Sequence, residues 1–76
     1  MKTRLRVRDV AEAKGISMTK LHHLSEVAYG TIRKIFHDPY TEITLTTLNR
    51  LAAALQVETK ELLESVPDEQ GKGPPP

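Results

Sequence analysis

Cysteine and tryptophan are absent from this chain, and its aromatic residues are only Tyr29, Phe36 and Tyr40. Without thiols there is no disulfide and no thiolate metal site, and nothing argues for an oxidising compartment. With so few rings the core has to be built from Leu, Ile, Val and Ala, which suits packed helices. Long apolar runs are missing too. The longest, Leu51–Leu55, falls far short of the ~20 residues of a membrane-spanning helix. The basic N-terminus has no apolar stretch behind it, so no signal peptide is visible, and the cytoplasm is the expected location. Neither a nucleophile–base pair nor a metal-ligand cluster can be read along the chain. His22 and His23 are adjacent, so on a helix they would point ~100° apart, and His37 is distant. The chain is therefore expected to be no enzyme, to hold no metal or cofactor, and to take no membrane or small-molecule partner.

What is present is enough for one small domain: 76 residues, with a correspondingly thin margin of stability. The net charge is +1, but it is unevenly spread. Met1 to His37 carries eight Lys or Arg against three acids, and from Asp38 onward three basic residues face seven acids. A basic half beside an acidic half suits a polyanionic partner for the first half. Charge alone does not separate that reading from chance clustering.

Along Met1–Arg8, basic residues alternate with Thr3, Leu5 and Val7, a period of two that fits a short strand. From Val7 the spacing Val7, Val10, Ala11 becomes helical. It predicts helix one over about 6–14, behind a basic arm of residues 1–5. Gly15 is placed to end that helix with positive φ. Ser17 is a good N-cap for helix two, about 18–24, with Met18, Leu21 and either Leu24 or Ser25 inward. The turn is Ser25, Glu26, Val27, in which apolar Val27 makes sense as a plug between helices. Helix three opens near Tyr29 and runs to His37. Ile32, Ile35 and Phe36 form its buried stripe; Tyr29, Gly30, Arg33, Lys34 and His37 fall outside it. The Asp38-Pro39 pair blocks continuation. Thr44 caps helix four, about 45–55, with Leu45, Leu48, Leu51, Ala52 and Leu55 inward. Helix five, about 59–65, is expected to bury Leu62 and Leu63. Residues 67–76 are polar, Gly- and Pro-rich, and expected to be disordered.

Two runs make the pattern specific. The first is Gly15-Ile16-Ser17-x-x-x-Leu21-x-x-Leu24-Ser25-x-Val27-x-x-x-Thr31-Ile32-x-x-Ile35. The second is Ile43-Thr44-Leu45-x-x-Leu48-x-x-Leu51-Ala52-x-Ala54-Leu55-x-Val57-x-x-x-Glu61-Leu62-Leu63. Together, in order and without a gap, they resemble the phage-repressor and Cro type helix-turn-helix family, also called the XRE family, over about residues 6–66. The resemblance implies an all-α, compact, five-helix, lambda-repressor-like domain with the helix-turn-helix at helices two and three. Four residues depart from the family's usual pattern, one being Phe36, which stands where an acid often follows the second aliphatic of helix three. His22 stands where a small residue is usual, Glu26 where the turn usually has Gly, and Ala28 where a Ser or Thr cap is usual. If Glu26 takes positive φ, a strain of about 1 kcal/mol is expected. Ala28 forfeits capping of about 1 kcal/mol.

The resemblance also implies that the start of helix three enters the major groove of double-stranded DNA. Carried over by position, Tyr29, Gly30, Arg33 and Lys34 are the candidates for reading bases. Arg33 has the fork that matches guanine O6 and N7, and Lys34 reaches guanine or a phosphate. Gly30 permits close approach. In isolation Arg33 and Lys34 would read as ordinary solvated charges; the frame around them favours DNA contact. Candidates for phosphate contact are Met18, Thr19, Lys20, Ala28, Thr31, His37, Tyr40, Thr41, Arg4 and Arg6. Tyr40 reads equally as a loop anchor against helix four. Lys2, Arg4, Arg6 and Arg8 belong either to an arm that tracks phosphates or enters a minor groove or to a strand with Leu5 and Val7 buried. The expected function is a small sequence-specific transcriptional regulator, a repressor rather than an activator, acting as a homodimer with Leu62, Leu63 and Val66 at the dimer surface. The alternative is a protein-interaction or antitoxin-like module on the same frame.

Overall fold

Local capping sets where each helix begins and ends. In the computed structural model, which describes residues 1–67, the order is β1 (Lys2–Leu5), α1 (Val7–Ala13), α2 (Met18–Ser25), α3 (Tyr29–His37), α4 (Leu45–Leu55), a 3-10 turn (Thr59–Leu62) and β2 (Leu63–Val66). Ser17 Oγ accepts from Lys20 N–H at 3.1 Å, and Thr44 Oγ1 accepts from Thr47 N–H at 3.1 Å. Each hydroxyl satisfies a backbone donor that the first helical turn leaves free. Gly15 ends α1 with φ +70°, Glu26 ends α2 with φ 60° and Gln56 ends α4 with φ 59°. The last two adopt a left-handed conformation that L side chains resist.

The buried core is Leu5, Val7, Ala11, Leu21, Val27, Ile32, Ile35, Leu48, Leu51, Ala52, Leu55 and Leu62. It draws on every helix and on β1. Helices α2 and α4 pack together, and α3 packs on α2 and α1, seated on buried Ile32 and Ile35 with Phe36 partly buried beside them. Val27 is buried in the turn, where it fills the gap between α2 and α3.

The fold is mostly helical, but it is not the five-helix all-α domain expected. There are four α-helices and a two-stranded antiparallel sheet, with Leu5 opposite Leu63 and Lys2 opposite Val66. The fifth helix shrinks to the 3-10 turn, because residues 63–66 extend to pair with β1. Leu62 is fully buried, while Leu63 lies 38% exposed, so the two leucines do not share the core. For residues 2–5 the strand reading, not the free arm, is the one the structure adopts. The end of β1 is tied down twice: Leu5 N–H donates to Pro39 O (2.8 Å) and Arg6 N–H to Leu62 O (2.7 Å). One further expectation of burial fails: Leu45 opens α4 at 72% exposure. Of the two alternatives on α2, Ser25 is the inward residue and Leu24 is 50% exposed. Apart from Pro67, the tail expected to be disordered lies outside the described residues.

Candidate nucleic-acid interface

The turn that aims α3 is held by polar contacts as well as by Val27. Buried Ser25 donates its hydroxyl proton to Leu21 O (2.6 Å) and accepts from Val27 N–H (3.2 Å). His22 Nδ1 lies 2.7 Å from Val27 O. A carbonyl only accepts, so Nδ1 carries the proton and the ring orientation is fixed. The His22 ring meets Tyr29 edge-on, centroids 6.2 Å apart at 85°. Edge-to-face contact is a favourable arrangement of aromatic quadrupoles. A side chain at the helix crossing thus steadies the first residue of α3.

Helix α3 starts without a side-chain cap: Ala28 makes no capping bond. Its outward face carries Tyr29, Gly30, Arg33, Lys34 and His37, all exposed. Arg33 and Lys34 make no ion pair or side-chain hydrogen bond among the described residues. Elsewhere several cations are engaged. Arg4 donates to Asp9 (2.9 Å) and Glu64 (3.1 Å), Arg8 to Glu12 (3.1 Å), and Lys2 sits 4.4 Å over the Tyr40 ring. The free positive charge on α3 is therefore available to an external anion at no cost in internal pairs.

The structure brings the four base-reading candidates onto one face and sets Ser17, Met18 and His37 beside Arg33 around an open depression of about 450 Å³. Thr19, Lys20 and Ala28 are exposed and Thr31 is half-buried. Tyr40 and Thr41 lie elsewhere. They border a groove of about 600 Å³ with Lys2, Leu5, Leu45 and Leu63, none of them on α3. Tyr40 N–H donates to Asp38 Oδ1 (3.0 Å) and its exposed ring receives Lys2 of β1. Arg4 is no free arm residue. Its hydrogen bond with Asp9 raises its own pKa and lowers that of the Asp9 carboxyl, and the pair braces β1 against α1 and β2. Arg6 remains exposed.

Two placements near the site were beyond the sequence reading. The contact of His22 with Tyr29 depends on how α2 and α3 cross, which no spacing rule supplies. Arg8, grouped in the sequence with the basic arm, instead lies on the exposed side of α1 and reaches the same depression as Arg33 and His37.

Comparison with known proteins agrees with this geometry. No similar sequence is found among curated proteins. The restriction-modification controller protein C.AhdI from Aeromonas hydrophila, solved by crystallography, superimposes with a TM-score of 0.68 at 30% identity; the match covers 75% of this chain and 85% of that one. The family model of the Cro/C1-type helix-turn-helix DNA-binding domain matches residues 6–68. The chain belongs to the Cro/C1-type helix-turn-helix family of DNA-binding domains.

Proposed function

We propose that this protein is a sequence-specific double-stranded DNA-binding regulator that reads the major groove with α3. The observation that carries the proposal is the outward face of α3. There Arg33 and Lys34 stand exposed and unpaired among the described residues, beside Gly30, where even an added Cβ would meet no protein atom within 4 Å. Arg33 and Lys34 are the donors to base edges. Gly30 lets the backbone come close, and Tyr29 packs against the groove wall. Met18, Thr19, Lys20, Ala28, Thr31 and His37 contact phosphates on either side, which fixes the register of α3 without reading sequence. Arg6 adds a flanking charge. Arg4 is left out because its Nη1 is shared by Asp9 and Glu64, which hold it between β1, α1 and β2.

A domain of this size reads few base pairs, so the protein acts as a homodimer on half-sites ~34 Å apart. The groove bordered by Leu45, Leu63 and Tyr40 is the candidate dimer face, because those are its exposed large apolar residues. Repression by occupying a promoter in the cytoplasm is the simplest regulatory mode for such a DNA-binding domain. That its structural relative C.AhdI is a restriction-modification controller protein supports a regulatory role. Selection of bound sequences from random duplex DNA tests the proposal. It predicts one enriched palindrome whose half-site centres are one helical turn, or a multiple, apart. Recovery of no preferred sequence by a chain that binds duplex would overturn specific reading.

A further inference from the structure

Arg8 is engaged differently from the other paired arginine. Arg4 is held by two acids from two elements and is half-buried. Arg8 touches one acid, Glu12, a helical turn away, through Nε alone at 3.1 Å. Its two Nη groups make no hydrogen bond among the described residues. Both side chains are mostly exposed, at 59% and 61%. The pair lines the depression that Ser17, Arg33, Phe36 and His37 also line, so it abuts the face proposed to meet DNA.

We propose that Arg8 binds a backbone phosphate of duplex DNA, and that Glu12 holds this grip in check by competing for the same guanidinium. The inference rests on the DNA reading of α3 given above. A single Nε–carboxylate contact in water is a weak restraint. A phosphate can take the open Nη edge, or both nitrogens of the fork, in a stronger charge-assisted bond. Exchange of carboxylate for phosphate then leaves Glu12 facing a polyanion. That repulsion keeps affinity below what Arg8 alone would give, in the way like charges across an interface oppose association. The pair thus sets the strength of non-specific grip and leaves base reading to α3.

The test is a salt titration of the full chain against a labelled mixed-sequence duplex, between about 50 and 200 mM salt. Arg8→Gln makes the slope of log affinity against log salt shallower by about 0.9, the loss of one phosphate contact. Glu12→Gln tightens binding by about threefold at the low-salt end, of the order of one such contact. In the double variant, Glu12→Gln has little left to release and its effect falls away. An unchanged slope in Arg8→Gln overturns the proposal, as does an equal effect of Glu12→Gln with and without Arg8, which would make Glu12 a simple repulsive charge. Failure of the underlying reading looks different. Binding left unchanged by joint replacement of Arg33 and Lys34 with Ala sinks the α3 reading, whatever Arg8 does. Circular dichroism of the exposed-site variants confirms that each is folded.

Discussion

At Glu26 a single backbone angle records a compromise between sequence and fold. The turn between α2 and α3 needs a left-handed residue, and the chain supplies Glu with φ 60°. The family pattern made this legible in advance, because a Gly is usual there and the Glu stands out. Glu26→Gly is expected to raise stability by about 0.5–1 kcal/mol, the relief of strain less the extra freedom of the unfolded chain. Denaturant midpoints of the two proteins measure it. Asp9 offers a test by pH. The Arg4 hydrogen bond holds its carboxyl below the ordinary value, with burial opposing and the nearby arginines assisting. A carboxyl depressed in the folded state stabilises above its unfolded pKa, ~3.9, and loses that contribution as pH falls through the folded value. Melting temperature against pH should therefore fall less steeply below pH ~4 in Asp9→Asn than in the parent. The difference is small, because the pair is open to water.

Element by element, the helices were legible and the sheet was not. The spacing of Leu21, Ile32, Ile35, Leu48, Leu51 and Leu55 is local information, and all six are buried where the periodicity put them. Ser17, Thr44 and Gly15 marked boundaries by chemistry that acts within one turn. The strand signal at residues 2–5 was visible but ambiguous, since its partner lies at 63–66 and the pairing is a long-range event. The same four residues of β2, read alone after Thr59–Leu62, continue a helical pattern; only the ladder to β1 makes them extended. Leu45 failed for a related reason. It opens α4 at the open edge of the groove shared with β1 and Tyr40, and among the described residues it stays largely exposed. If β1 is part of the folded unit, Leu5→Ala should cost about 2–5 kcal/mol, the range for truncating a buried Leu. A free arm would lose nothing, so urea unfolding of this variant separates the two descriptions.

For the whole molecule, the charge asymmetry becomes intelligible once the helices are placed. Arg33 and Lys34 present uncommitted charge on α3, while Arg4 is partly neutralised by Asp9 and by Glu64 of the acidic half, and Arg8 by Glu12. A net count could not make that distinction. The site was thus legible as a helix face but not as a set of free and engaged donors, nor was the support that His22 gives Tyr29. The proposed dimer also belongs to this scale. Leu45→Glu should convert a dimer to a monomer, read by light scattering, and leave the melting temperature nearly unchanged because Leu45 is already exposed. A dimer that persists would move the interface elsewhere. The central claim is that α3 is the surface that meets DNA. Its most direct test is the affinity of the Arg33→Ala/Lys34→Ala variant for the duplex selected by the parent protein, measured at fixed salt with folding checked alongside. The account predicts a loss of at least about fivefold, the low end for removing one good base contact, in a protein that melts as the parent does. Unchanged affinity in a folded variant would contradict it.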